Sequence, residues 1–171
     1  MNKYDDWVEW LVINKQPDNF AVCVLPEYGL RINYPMTWRI VGNETFLHNN
    51  IVVGFGIPKE NPADLSFDSL CVYSLDMPAN HSVSLDEFID LIMRDLKDTC
   101  PEFNLIDSTP TTLGGVPAYQ IVFTETGQKK LGVSAIKGNK AYIISYGARP
   151  ERYLKNLSTV EQMIVSFEFL P

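Results

Sequence analysis

The first part of the chain reads as a series of short strands. Phe20–Leu25 is apolar and rich in residues that favour strands, and residues 30–34 alternate apolar and polar side chains, which is typical of a half-buried strand. Proline, glycine and asparagine separate these runs. Similar patterns predict further strands at residues 38–41, 51–57 and 70–75.

Two helices are predicted, one in the middle and one near the end of the chain. Ser84 and Glu87 form a capping-box pattern, and Pro101 ends the helix that follows it. Pro150 is a favoured first residue for the second helix. Apolar side chains at helical spacing predict the following buried positions: Leu85, Phe88, Ile89, Ile92 and Leu96 in the first helix, and Leu157, Val160, Ile164 and Phe167 in the second.

Antiparallel hairpins are predicted between the two helices. Residues 104–113 read as extended and Gly114-Gly115 as a tight turn, and three more strands joined by short turns follow at residues 118–125, 130–136 and 141–146. A helix, a meander of strands and a second helix predict an α+β domain in layers, with the helices packed on an antiparallel sheet.

Composition agrees with one globular domain and excludes several classes of protein. The 171 residues are 46% hydrophobic and 20% charged, which excludes wholesale disorder. No apolar run approaches the ~20 residues of a membrane span, so no transmembrane segment is expected. The net charge of −7, from 21 acidic and 14 basic residues, comes without a Lys/Arg cluster, which excludes a general nucleic-acid binder.

Residues 1–19 are predicted to be an N-terminal extension of a domain that spans residues 20–171. Trp7, Trp10 and Leu11 lie at i, i+3 and i+4 and would share one face of a short helix. This segment either packs on its own domain or is a docking segment for a partner, which is expected to be another protein. The first residues lack a secretory pattern, so the chain is either cytoplasmic or an exported chain without its leader, and the oligomeric state stays open.

Three cysteines are an odd number, and their wide spacing excludes a full disulfide framework. Cys23, Cys71 and Cys100 are interpreted as small buried hydrophobic residues. One disulfide bond between two of them stays possible, and the sequence does not determine which pair would form it.

Candidate catalytic and metal-binding chemistry is sparse. His48 and His81 lie in predicted loops without a neighbouring nucleophile motif, so no catalytic, cofactor-binding or metal-binding residue is expected. Asp76 and His81 are the one pair that could hold an adventitious ion. The carboxylates of the first helix are interpreted as a solvated face: Asp86, Glu87, Asp90, Asp95 and Asp98.

Five short motifs, in order along the chain, resemble the PsbP/Mog1-like superfamily. They cover roughly residues 20–169, and each describes a turn, a strand or a helix start rather than a binding site. The segments are 28–38 (YGLRINYPMTW), 84–88 (SLDEF), 112–119 (TLGGVPAY), 138–142 (GNKAY) and 166–169 (SFEF).

The resemblance implies an α/β/α sandwich, with a central antiparallel sheet flanked by helices, in a prokaryotic PsbP-like protein. It also implies a protein that is not an enzyme. Photosynthetic members of the superfamily are extrinsic photosystem II subunits, and the Mog1 branch binds a small GTPase. The residues before Phe20 differ from the basic photosystem-binding tail of the former, which argues against an extrinsic photosystem role.

Two functions from different classes are therefore expected. The first is a non-catalytic module that binds, assembles or stabilises another protein. The second is a carrier of a small ligand or lipid, which would need a large apolar cavity under a helix. An unrecognised hydrolase is disfavoured because the sequence offers no pair of nucleophile and base.

Overall fold

A computed structural model describes residues 19–41 and 50–171 of the chain. Within these residues, ten strands and two α-helices follow one another in nearly the order that the sequence pattern predicts. The strands are β1 (Phe20–Leu25), β2 (Leu30–Pro35), β3 (Arg39–Val41), β4 (Ile51–Gly56), β5 (Ser69–Asp76), β6 (Asn104–Leu113), β7 (Val116–Glu125), β8 (Gln128–Lys137), β9 (Lys140–Ala148) and β10 (Glu168–Phe169); the helices are α1 (Leu85–Thr99) and α2 (Pro150–Ser166).

The strands form two antiparallel sheets. The larger sheet has seven strands in the order β3-β4-β5-β9-β8-β7-β6, and the smaller has the order β1-β2-β10. The predicted meander is confirmed, because β6 to β9 are neighbours in sequence and in space. β6 forms one edge of the large sheet.

The two helices cover opposite faces of the large sheet. Side chains alternate between the faces of a strand, and Leu131, Val133 and Ala135 of β8 share one buried cluster with residues of α2 and of the small sheet. Phe88 of α1 and Ile121 of β7 are buried outside that cluster. The α/β/α sandwich is therefore confirmed, with an α2 face, which also carries the small sheet, and an α1 face.

The apolar stripe predicted to be buried in each helix is confirmed at the centre of the stripe, whereas the residues at its edges are only half-buried. In α1, Phe88 and Ile89 are buried, whereas Leu85, Ile92 and Leu96 are only half-buried. The reason is that α1 contacts mainly one strand, β8, and one strand is too narrow to cover a whole helical stripe. Neither of the helices in the described residues is long and apolar enough to cross a membrane.

In α2, the residues nearest the sheet are fully buried. Val160 and Phe167 are buried as predicted, whereas Leu157 and Ile164 are half-buried. The residues that pack most deeply in this helix are Tyr153, Val160 and Met163.

The capping box predicted for α1 is present. The Glu87 backbone N–H donates to Ser84 Oγ at 3.2 Å, and the Ser84 backbone N–H donates to Glu87 Oε2 at 2.9 Å. These two bonds pair backbone donors that a helix start otherwise leaves free. The bond from the Ser84 backbone N–H also holds the pKa of Glu87 below its ordinary value, because it favours the ionised carboxylate.

The turn between β6 and β7 requires glycine. Gly114 and Gly115 have φ values of +56° and +82°, which is the left-handed region that glycine adopts without steric cost. At Gly114 a Cβ atom would lie 2.7 Å from Phe169 Cδ2, whereas at Gly115 it would meet nothing within 4 Å. Close packing against β10 therefore adds to the backbone requirement at Gly114 only.

A matched pair of alanine substitutions separates these two effects. Gly115→Ala should lower the free energy of unfolding by about 1–2 kcal/mol, the cost of a left-handed residue. Gly114→Ala should cost about 1–3 kcal/mol more, because its Cβ collides with the Phe169 ring. Urea denaturation measures both values, and equal losses for the two variants would show that the contact with Phe169 does not constrain the turn.

Candidate functional site

β6 is exposed over almost its entire length. Nine of its ten residues are exposed, and only Leu113, beside the turn, is buried. Among the described elements, β6 contacts mainly its sheet neighbours β7 and β8, whereas α2 packs on β8, β9 and β2. The last two strands of the sheet therefore extend beyond α2, which covers this face together with the small sheet.

The uncovered surface on the α2 face is mostly polar. Thr111 pairs with Ala118 and Thr109 pairs with Gln120, and directly opposite residues project from the same face of a sheet. Ala118 belongs to the core on the α2 face, so the two threonines and Gln120 lie on this face as well. Val122 follows Gln120 on the same face and packs against the edge of the core.

A groove separates this polar surface from the second half of α2. Its volume is about 450 Å³, and it is open to solvent. We refer to the groove, with the uncovered surface of the two strands beside it, as the β6–β7 slot. The groove is lined by Thr111, Thr112, Gly114, Gly115 and Gln120 from the hairpin and by Glu161, Ile164, Val165, Phe167 and Glu168 from α2 and the chain after it.

α2 carries a second stripe of side chains on the flank next to the slot. Leu154, Ser158, Glu161 and Val165 recur at i, i+4, i+7 and i+11, so they share one face of the helix. The side chain of Leu154 is 74% exposed and that of Val165 is 85% exposed. Glu161 and Val165 of this stripe line the groove, and the helical spacing places Leu154 and Ser158 on the same face of α2, nearer its start.

The charge of the slot is negative. Glu161 makes no ion pair with any of the described residues, whereas Glu168 accepts a hydrogen bond from Arg31 Nε at 2.7 Å. Burial and, to a smaller extent, the nearby charge of Glu161 raise the pKa of Tyr153 to about 12. An unneutralised carboxylate therefore lies midway along the slot.

A loop on the opposite flank of α2 holds the start of this helix in place. We call residues 58–68 the strap. In its last part, side chains point alternately inward and outward as in a strand, but the apolar ones point outward: Leu65 is 95% exposed and Phe67 is 46% exposed. Phe67 lies over β4 against Gly56. The residues that point inward are polar: Asp64, Ser66 and Asp68.

Arg152, in the first turn of α2, binds all three inward residues of the strap. Its guanidinium donates hydrogen bonds to Asp64 and Ser66, and Nη2 donates to Asp68 Oδ1 at 3.2 Å. Nε lies 2.9 Å from Asp68 Oδ2 without hydrogen-bond alignment, so that contact is charge attraction alone. Bonds from Ser66 and Arg152 keep the pKa of Asp64 well below its ordinary value.

The strap stabilises α2 in two ways. The side chain that precedes the helix, Arg149, makes no capping hydrogen bond, and the carboxylates of Asp64 and Asp68 bring negative charge close to the positive end of the helix dipole. The Arg152 guanidinium also fixes the helix relative to β4 and β5, because the strap connects these two strands. The strap is therefore a structural feature that positions the wall of the slot.

The residues singled out from sequence do not assemble into a reactive site in the described structure. Trp7, Trp10, Leu11 and His48 lie outside the described residues. His81 is exposed, and Asp76 forms an ion pair with Lys140 at 2.7 Å.

The three cysteines are free thiols. Burial raises the pKa of Cys23 to about 12 and also raises that of Cys71. The pKa of Cys100 is raised mainly by its hydrogen bond with Glu125. Cys71 lies on the α1 face, because its neighbours Leu70 and Val72 belong to the core of the α2 face, whereas Cys23 belongs to that core itself. The large sheet therefore separates Cys23 from Cys71.

Sequence reasoning missed both the strap and the slot. Two signals for the slot were present: the second periodic stripe that begins at Leu154, and a predicted strand, 104–113, that is mostly polar apart from Leu105, Ile106 and Leu113. No local signal indicates that Arg152 binds Asp64, because the two residues are 88 positions apart.

Comparison with known proteins identifies the family. The sequence model of the PsbP-like protein family matches residues 14–169, which is most of the chain. The chain therefore belongs to the PsbP-like protein family. Among curated protein sequences, none matches this chain significantly.

Solved structures from three organisms share the fold. Cyanobacterial PsbP (CyanoP) from Synechocystis sp. superposes with a TM-score of 0.64 at 13% identity, covering 91% of this chain and 97% of that one. LpqN of Mycobacterium tuberculosis, involved in cell envelope biogenesis, gives 0.61 at 13% identity, covering 96% of both chains. The Ran-binding protein Mog1p of Saccharomyces cerevisiae gives 0.61 at 9% identity, covering 89% and 96%. At such low identity, the likeness shows the fold alone.

Removing Arg152 should strongly destabilise the protein. Arg152→Ala leaves the buried carboxylate of Asp68 and the nearly buried one of Asp64 without their shared partner, and we expect a loss of about 2–3 kcal/mol in the free energy of unfolding. Arg149→Ala is the control, because Arg149 is half exposed and lies 3.4 Å from Asp64; it should cost about 0–1 kcal/mol. Urea denaturation measures both, and similar small losses would show that the strap does not anchor α2.

Proposed function

We propose that this chain is a non-catalytic protein-binding module that docks its partner in the β6–β7 slot. The observation that carries the proposal is the exposure of β6 beside the wall of α2. Among the described residues, no helix or strand packs over β6 and most of β7 on the α2 face, and the neighbouring helix flank exposes Leu154 and Val165. Covering these side chains with a partner removes apolar surface from water, which favours association.

The alternative of a lipid or small-ligand carrier has less support. A carrier needs an enclosed apolar cavity, whereas the groove lies beside α2 and is open and half polar. Directly under α2, Val160 and Met163 are fully buried in a packed cluster, so this part of the core leaves no room for a ligand.

We also propose that the chain is not an enzyme, and separate observations support this. The three thiols have raised pKa values, which disfavours the thiolate that a nucleophile requires. The exposed His81 is paired with no nucleophile among the described residues. The shared fold adds weight to protein binding, because Mog1p is a Ran-binding protein.

We propose that the N-terminal extension, residues 1–19, makes a second contact with a protein surface. Trp7, Trp10 and Leu11 are apolar residues close together in the sequence, and burying them would be worth several kcal/mol, at ~25 cal/mol per Å² of apolar area. We assign these residues to docking, either on the chain's own domain 20–171 or on a partner.

Site-specific photocrosslinking tests the slot as a docking site. Benzoylphenylalanine at Val165, in an extract of the source cells, should crosslink to a protein that is also captured from Thr111, on the opposite side of the slot. The control position is Asp90, which is exposed on α1, on the other face of the sheet. The purified partner should then bind the unmodified chain, and Val165→Asp should weaken that binding at least tenfold.

Three outcomes would contradict the proposed function. Equal capture from Asp90 would show nonspecific contact, and unchanged affinity of Val165→Asp would place the interface elsewhere. A lipid or small molecule that co-purifies stoichiometrically in native mass spectrometry, with no protein captured from the slot, would favour the carrier.

Deletion of residues 1–16 tests the role of the N-terminal extension. We expect the loss of an ordered contact, because two tryptophans and a leucine are too apolar to remain solvated. A lower melting temperature at unchanged mass in solution indicates packing on the same domain, and a change from dimer to monomer indicates docking between copies. If neither quantity changes and binding to the slot partner is also unaltered, the extension is not a docking segment.

A further inference from the structure

We propose that the element that occupies the β6–β7 slot is an amphipathic α-helix of the partner protein, with a basic side chain opposite Glu161. This inference rests on the proposed function and specifies what the slot recognises. Its support comes from the dimensions of the slot, the backbone of β6 and the order of side chains along α2.

The slot has the dimensions of one helix. Its floor is two strands wide, and strands lie about 4.8 Å apart, so the floor is about 10 Å across, which is the diameter of a helix with its side chains. β6 has ten residues and thus a length of about 34 Å, enough for a helix of about 20 residues at 1.5 Å per residue. α2 already packs beside this vacant position, as a neighbouring helix in the same layer would.

An extended partner strand fits the edge of β6 poorly. Gly114 and Gly115 form a two-residue turn, so Leu113 and Val116 are a hydrogen-bonded pair, and such pairs alternate along the ladder. Pro110, paired with Tyr119, falls at a position whose backbone faces away from β7. Since proline has no N–H to donate, it interrupts the outer edge at its centre and blocks a continuous added strand.

The side chains along α2 specify the partner helix. Leu154 and Val165 lie eleven residues apart, or about 16 Å along the helix, and Glu161 lies between them without an ionic partner among the described residues. A complementary helix therefore presents an apolar side chain toward each end and a lysine or arginine between them. Thr109, Thr111 and Gln120 provide hydrogen-bonding groups for its polar flank.

Designed peptides provide the test. The first probe is an alanine-rich helical peptide with leucine, lysine and leucine at the spacing of Leu154, Glu161 and Val165, made in both chain directions. The second probe replaces the lysine with glutamate, and the third places a proline at the centre to prevent helix formation. Fluorescence anisotropy measures affinity, and amide chemical shifts of the full chain locate binding.

We expect the lysine peptide to bind at least tenfold more tightly than the glutamate and proline peptides. Its shifts should concentrate at Thr111, Gln120 and Val165. Glu161→Gln should weaken it about two- to fivefold, the range for an exposed ion pair. Asp90→Asn removes the same charge from α1 on the other face of the sheet and should leave the affinity unchanged.

Contrary results separate the parts of the inference. Equal binding of the proline peptide in the slot would overturn the helix, and an unchanged affinity in Glu161→Gln would overturn the basic side chain. Shifts outside the slot, or no binding of any peptide at about 1 mM, would overturn the inference as a whole. The proposed function fails separately, when crosslinks from Val165 and Thr111 capture no common protein.

Discussion

The packing of α2 against the seven-stranded sheet is the contact on which the rest of the structure depends. Tyr153, Val160 and Met163 are almost completely withdrawn from water, and they share their cluster with β8, β9 and the small sheet. Tyr146, buried beneath the helix, donates its hydroxyl to the backbone carbonyl of Tyr153 at 3.0 Å, so even the polar group in this interface is paired. Since close-packed interiors tolerate little displacement, this contact sets the position of everything attached to α2.

The same contact decides where the surface is incomplete. In the part of the chain that the structure describes, one helix and a three-stranded sheet do not cover all seven strands, and they leave β6 and most of β7 uncovered. The strap fixes the orientation of α2, because Arg152, in the first turn of the helix, binds Asp64, Ser66 and Asp68 of the strap. With that end held, the opposite flank of α2 faces the uncovered strands and presents Leu154 and Val165. The contacts that hold one flank of α2 in place thus also fix the position of the exposed Leu154 and Val165 on the other flank.

The layered frame is shared by proteins of very different sequence. The structures of CyanoP, LpqN and Mog1p are at most 13% identical to this chain, yet they superpose because burial depends on the pattern of apolar residues rather than on their identity. The surface beside α2 is free of that constraint. In the function that we propose, its threonines, Glu161 and Val165 are the residues that contact the partner.

The sequence by itself determined the local elements, because their causes are local. The pair Ser84 and Glu87 predicts the start of α1 through bonds three residues apart, Gly114-Gly115 predicts a turn that only glycine adopts easily, and alternation predicts the strands. The resemblance to the superfamily extended these elements to the layered fold. The site required the tertiary structure. The pairing of Arg152 with Asp64 joins residues 88 positions apart, and the exposure of β6 depends on how far across the sheet α2 reaches, since a periodic pattern shows which residues can be buried but not which surface a neighbouring element leaves uncovered.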